Sequence, residues 1–196
     1  TPGVCFDDST VTVTILEVPT VNPILDETVC VGDNFTAITF SGSMAGAAYD
    51  WTNSNTAIGA AAAGSGDIAS FIGATNGGTE VGNFTVTPSF GGCTGLAETF
   101  DLTVNDLDDA TFDYTPGLTY CQTAANPTTN ITGLNGGTFS YVAVSGGPTL
   151  DINPATGDII LANSDLGAYD ITYNSTGAVG SLCPQTFTLQ LVITPA

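Results

Sequence analysis

The sequence predicts an all-β chain of tandem β-sandwich modules, joined end to end and stapled by disulfides. Three observations predict it: strands legible as strict period-2 alternation, a sequence repeat close to 90 residues long, and cysteines that recur with that repeat. Self-similarity at a fixed period decides architecture before any single element does.

The strands come first. Thr10 to Leu16 alternates Thr/Val/Thr/Val/Thr/Ile before Leu16. Period-2 runs recur at Phe84–Thr87, Phe100–Val104, Phe139–Val144 and Phe187–Ile193. Alternation of this kind marks strands with one buried face. Gly, Asn, Asp, Ser and Pro clusters punctuate the runs. No amphipathic helix is legible. The stretch Ala60–Ala63 has helical propensity, but its flanking glycines make it a loop or a small-residue strand.

Three segments share one form, a cysteine, a short polar spacer and then an alternating strand. They begin at Cys5, Cys93 and Cys183, spaced 88 and 90 residues apart. A second pair, Cys30 and Cys121, is 91 apart. The order is therefore tail, head–tail, head–tail. It predicts residues 1–20 as the closing strand of a preceding, absent module, 21–106 as one β-sandwich and 107–196 as a second. Modules of this length suit small sandwiches. The chain opens in Thr1-Pro2-Gly3 and reads as a processed or excised piece.

The repeat suggests a pairing of Cys30 with Cys93 and of Cys121 with Cys183, because the enclosed spacings of 63 and 62 residues are nearly equal. Each such staple would stabilise its module by about 2–4 kcal/mol. Cys5 is then unpaired in this segment. A zinc or thiol-catalytic reading needs clustered ligands, commonly with His. The chain has no His and no close Cys pair. Trp51, between Cys30 and Cys93, is expected in the core beside a disulfide rather than on a sugar-binding platform. Asp151–Ile160 reads as a tight hairpin turning at Asn153-Pro154 and Gly157, rather than as a calcium loop.

Composition excludes most chemistry. The chain carries 19 Asp plus Glu and no Lys, Arg or His, for a net charge of -19. Nucleic-acid phosphates have no cation to meet. Triads and dyads using His, Schiff-base lysines, P-loop lysines and arginine clamps cannot be built. No side-chain salt bridge can form. The adjacent acids Asp7/Asp8 and Asp108/Asp109 are poor glycosidase pairs, since neighbouring residues on a strand point apart. The expectation is not an enzyme. Disorder is a poor reading for a chain with 42% hydrophobic residues. No apolar run approaches the roughly 20 residues of a spanning helix.

The acids gather where modules meet. Asp106, Asp108 and Asp109 lie at one expected junction, and Glu17, Asp26, Glu27 and Asp33 flank the other. Two readings stand: a Ca²⁺ site at Asp106, Asp108 and Asp109, or solvated linker acids. No other cofactor is expected.

Several of these residues carry a family resemblance. Val29-Cys30-Val31-Gly32-Asp33, Tyr49-Asp50-Trp51-Thr52 and Gly91-Gly92-Cys93-Thr94-Gly95 resemble the PKD-like repeats of very large secreted surface proteins of Bacteroidetes. Thr119-Tyr120-Cys121, Gly136–Phe139, the Asn153–Gly157 hairpin and Gly167–Tyr173 resemble the immunoglobulin-like repeats beside them. The hairpin is also similar to one in cadherin-like domains. The resemblance implies type IX export and display outside a Gram-negative cell, as in the long SprB-like gliding-motility adhesins. The C-terminal sorting domain of such proteins is not seen here, which fits an internal fragment. Asp8-Ser9-Thr10 resembles that phylum's short O-glycosylation motif, which would place a glycan on Ser9. Asn34, Asn83, Asn130 and Asn174 each open an Asn-x-Ser/Thr triplet.

The expected function is thus a structural or adhesive repeat segment of a long extracellular filament or stalk. Its expected partners are neighbouring modules of the same chain and surface glycans or substrata. Two alternatives remain. One is a filament subunit that donates residues 10–16 to a neighbour's sheet, with Cys5 bridging chains. The other is a carbohydrate-binding module using Trp51, Tyr141, Tyr169 and Tyr173.

Overall fold

The computed structural model describes Gly3, residues 10–13 and residues 15–196. Cys5, Asp7, Asp8 and Ser9 lie outside the described residues. The strands are β1 (Glu27–Cys30), β2 (Ala48–Asn53), β3 (Ala63–Ser65), β4 (Glu80–Phe90), β5 (Cys93–Thr94), β6 (Glu98–Asn105), β7 (Phe112–Thr115), β8 (Thr119–Cys121), β9 (Thr128–Ile131), β10 (Thr138–Ala143), β11 (Gly167–Asn174) and β12 (Thr186–Thr194). The only helical segments among the described residues are single 3₁₀ turns at Thr56–Ile58 and Leu161–Asn163. The chain is all-β, as its alternation predicts.

One sheet has the order β1-β6-β4-β2-β3, with β5 paired to β4. A second has the order β10-β11-β12-β8, and β7 pairs with β9 in a third. The chain divides into two compact units. One takes residues 1–27, 34–72 and 81–103, the other residues 28–33, 73–80 and 104–196. These bounds differ from a cut at residue 106. The head turn at 28–33 and the loop at 73–80 cluster with the second unit.

In the first unit the alternating strands bury one face. The Trp51 ring meets Phe84 tilted at 5.8 Å, and Phe84 stacks on Phe100 at 5.1 Å. The facing layer is irregular. Phe35 N donates to Phe71 O and Ile38 N to Ile68 O, both at 2.9 Å, and the Phe35 and Phe71 rings meet at 4.8 Å. Trp51 is 8% exposed, and its indole N–H donates to the Gly66 carbonyl at 3.0 Å. Ala63–Ser65 forms a small-residue strand because Gly64 lies under that indole. A Cβ at Gly64 would stand 2.3 Å from Trp51 Cζ2.

The second unit contains a sandwich. Phe112 from β7 packs edge-on against Phe139 and Tyr173 of the four-stranded sheet, at 5.1 and 6.1 Å, and against Tyr114 of its own strand at 5.9 Å. Leu150, Ile159, Leu161, Ile171, Leu191 and Ile193 complete the core. Tyr169 is buried and its hydroxyl donates back to Asp165 O at 2.7 Å, four residues upstream. This is the tyrosine-corner device of immunoglobulin-like sandwiches. The Asp151–Ile160 segment is the expected hairpin. Asn153 Oδ1 accepts from Ala155 N, Gly157 takes φ 75°, and Ile152 bridges Ile159.

The run expected to close an absent preceding module has no strand partner among the described residues. Residues 10–13, 15 and 16 form no strand, although they alternate as strictly as any run in the chain. Alternation makes a strand only where a neighbouring strand accepts its hydrogen bonds, and none of the described strands pairs with this run.

Trp51 is the chain's single tryptophan and reports on this core directly. Gly64→Ala should cost about 1–3 kcal/mol by overpacking, read as a lower denaturant midpoint in Trp51 fluorescence. An unchanged midpoint would mean that the indole does not rest on Gly64.

Candidate functional site: a disulfide held by an acid clasp

Cys30 ends β1 and opens a tight turn in which Asp33 N donates to Cys30 O at 3.0 Å. Val31 N donates to Asn105 O at 2.8 Å, which seats the turn at the end of β6. Cys30 is bonded to Cys183, with Cα atoms 5.7 Å apart and a sequence separation of 153. Cys183 is buried, and its sulfur lies 3.7 Å from the Asn105 carbonyl.

The pairing corrects the expectation of Cys30–Cys93 and Cys121–Cys183. Cys93 and Cys121 are free thiols, half-buried and exposed respectively. The reason is strand direction. Strand β8 runs parallel to β12, so Cys121 pairs with Thr194 at the end of β12, whereas Cys183 precedes the start of β12 at Thr186. A nine-residue strand, about 26 Å at 3.3 Å per residue, separates them. A disulfide needs Cα atoms within about 7 Å. The first repeat has the same form. Cys93 lies before β6 begins at Glu98, and the turn after Cys30 is bonded to Asn105 at its end.

Asp108 holds the loop that presents Cys183. One carboxylate oxygen accepts from Ser175 Oγ at 2.8 Å and Ser181 Oγ at 2.6 Å. The other accepts from Leu182 N and Cys183 N, each at 3.3 Å. The Asp108 amide in turn donates to Cys183 O at 2.9 Å. Ser175, fully buried, exchanges bonds with Gln185: its N donates to Gln185 O and its Oγ accepts from Gln185 N. Burial pushes the Asp108 carboxyl up, but the bonds from Ser181, Ser175, Leu182 and Cys183 outweigh it and hold the pKa below 3.8.

The acids expected at one Ca²⁺ site are not brought together. Asp106 accepts from Gly78 N and Leu107 N. Asp109 accepts from Thr111 N and Thr111 Oγ1, which lower its pKa. Among the described residues no group of three or more His, Cys, Asp or Glu is placed to hold a metal. The aromatic platform of the alternative carbohydrate-binding reading is not assembled. Trp51, Tyr169 and Tyr173 are buried, and Tyr141 is half-buried against Tyr169. Asp108 was legible only as a Ca²⁺ ligand or a solvated linker acid. Its serine partners at positions 175 and 181 carry no spacing signal.

No family profile matches the chain, and no curated protein does. Among solved structures it is similar to human mucin-like protocadherin EC1-2, at 14% identity over 91% of this chain and 98% of that one, TM-score 0.38. It is also similar to the titin fragment I67-I69, at 11% identity and TM-score 0.47, covering 91% of this chain and 66% of the fragment. A third is DIP-gamma IG1+IG2, at 11% identity and TM-score 0.44, over 92% and 99%. This chain thus spans about two-thirds of the titin fragment. The all-β assignment rests on the chain's own strands and core.

Asp108→Asn should lower stability at pH 7 by about 1–3 kcal/mol, since hydrogen bonds to a carboxylate are lost or weakened. The Asp108 pKa is depressed in the folded chain, so its contribution is full above the unfolded value of 3.8 and disappears as pH falls through the lower folded value. Urea midpoints of the two proteins should therefore differ at pH 7 and converge in strong acid. Equal midpoints at pH 7 would show that the clasp is idle.

Proposed function

We propose that this chain is a non-catalytic, load-bearing segment of a tandem-repeat stalk or filament displayed outside the cell. The carrying observation is the Cys30–Cys183 bond. It joins the head of the first sequence repeat to the tail of the second, so a pull on the two ends passes across a covalent bond. The stretch between the cysteines, including strands β2–β11, is then shielded from extension.

The repeat supports the tandem reading. Val11, Val13 and Ile15 are 82%, 78% and 90% exposed, while the residues 89 positions later, Phe100, Leu102 and Val104, are 2%, 0% and 0% exposed. This pattern suits a closing strand whose sheet belongs to another copy of the repeat. Disulfides persist in oxidising compartments, which fits an extracellular place. The chain has no Lys or Arg for trypsin-type proteases to cleave. The finer reading, an adhesin on the outer surface of a Gram-negative bacterium exported by the type IX route, rests on the sequence resemblance. Burial of Trp51, Tyr169 and Tyr173 speaks against a carbohydrate platform.

The exposed residues 10–13, 15 and 16 of this alternating run favour one second reading, donation of the strand 10–16 to a separate subunit. The mass of the native, undigested assembly separates the two. A covalent chain far above 19.7 kDa supports the tandem stalk, and a 19.7 kDa species that forms filaments supports strand donation.

Pulling single molecules by their ends tests the load path. Under oxidising conditions the residues outside the Cys30–Cys183 loop should extend and the enclosed stretch should not. Reduction should add roughly 500–550 Å of contour, at 3.3–3.6 Å per residue over the separation of 153. Full extension while oxidised would overturn the reading.

A further inference from the structure

The two free thiols are the repeat equivalents of the two bonded ones. Cys121 lies 91 residues after Cys30, and Cys93 lies 90 before Cys183. The equivalence extends to the backbone. Val31 N donates to Asn105 O at 2.8 Å and Gln122 N to Thr194 O at 3.0 Å. Asp33 N donates to Cys30 O at 3.0 Å and Ala124 N to Cys121 O at 2.9 Å. Cys121 therefore holds, in the second repeat, the place at which Cys30 forms its bond, and its side chain is exposed there.

Cys93 shows the matching half. Cys183 lies against Asn105, where a tail strand ends. The residue 89 positions before Asn105 is Leu16, which packs on the loop entering Cys93. A Cβ at Gly91 would stand 2.6 Å from Leu16 Cδ1. Leu16, the repeat equivalent of Asn105, thus meets the Cys93 loop two residues before the cysteine, where Asn105 meets Cys183 itself.

We propose that Cys30–Cys183 is one link of a series in which the head cysteine of each repeat bonds the tail cysteine of the next. Cys121 bonds the tail cysteine of a following repeat, and Cys93 bonds the head cysteine of a preceding one. The partner thiol belongs to another copy of the repeat, either further along one polypeptide or in a second copy of this chain. Each link forms by exchange with an oxidised disulfide of the compartment. The two cysteine thiols give up two protons and two electrons to make one S–S bond, and the exchanging disulfide leaves as two thiols. The inference rests on the tandem-repeat reading above. It adds that the repeats are cross-linked to their neighbours along their whole length.

The test is a disulfide map of the native protein from its producing cells. Thiols are alkylated without reduction, and the chain is cut at Asp and Glu, since it offers trypsin no site. Cys93 then falls in the fragment 81–98 and Cys121 in 114–151. Neither fragment should be alkylated, and each should be disulfide-joined to a repeat cysteine of the opposite type. A partner fragment of different sequence places the neighbouring repeat on a longer polypeptide. A Cys93–Cys121 join within a covalent multimer places it in a second copy. Alkylated Cys93 or Cys121, a small-thiol cap on either, or a Cys93–Cys121 join inside one 19.7 kDa chain would overturn the proposal. Cys121→Ser supplies the control: it should abolish the Cys121 link and leave Cys30–Cys183 intact. The force measurement fails or succeeds independently, because it depends on Cys30–Cys183 alone.

Discussion

Parallel pairing of the head strand β8 with the tail strand β12 is the constraint on which the cysteine chemistry depends. Residues Thr119–Cys121 lie alongside Val192–Thr194 in the same direction. A parallel neighbour needs a long crossover rather than a hairpin, and here the crossover is nearly the whole sandwich. Its consequence is geometric. The head cysteine is carried to the end of the tail strand, and the tail cysteine stays before its start. An intramodule staple would have to span the length of that strand. The bond that does form uses the same geometry, because the end of β6, at Asn105, is where Cys183 is held.

That constraint explains what was legible in the sequence and what was not. The strands Phe84–Thr87, Phe100–Val104, Phe139–Val144 and Phe187–Ile193 were readable because each buries alternate residues, and burial writes itself into the residue types. The core place of Trp51 and the Asn153–Gly157 turn were readable for equally local reasons. The disulfide partners were not. In a periodic chain, head-to-own-tail and head-to-next-tail pairings both give uniform spacings, so near-equal intervals of 63 and 62 residues favour neither. Strand direction decides between them, and no composition or spacing records it. The run beginning at Thr10 is the opposite case. Its pattern is that of a strand, but a pattern supplies only half of a pairing.

The acids follow from the absence of bases. A partly buried carboxylate must be satisfied, and this chain offers no side-chain cation. The available donors are backbone N–H groups and hydroxyls, and the carboxylates take them. Asp26 accepts from Asp101 N, Glu27 from Thr36 N and Oγ1, Asp67 from Phe40 N, and Asp165 from Thr149 N and Oγ1. Each of these bonds ties a loop to a residue at least nine positions away. Asp108 is the fullest case, with four donors on one side chain. Acid–hydroxyl and acid–amide bonds thus take the role that ion pairs hold in ordinary surfaces, and a Thr-rich sequence supplies the hydroxyls.

This arrangement changes how the chain responds to its surroundings. Ion pairs between exposed side chains weaken as salt screens them, whereas short carboxylate–amide bonds act at contact distance and are screened far less. Salt instead relieves the mutual repulsion of a net charge of -19, which otherwise opposes compaction. Raising ionic strength should therefore favour the folded chain rather than loosen it. Acid acts in the other direction on both counts. Protonation removes the repulsion, but it also removes the acceptors that hold the loops. Where a carboxylate such as Asp108 or Asp165 has its pKa held down by hydrogen bonds, the clasp outlasts much of the repulsion on acidification. The balance between these effects is fixed by which acids are bonded, not by how many there are.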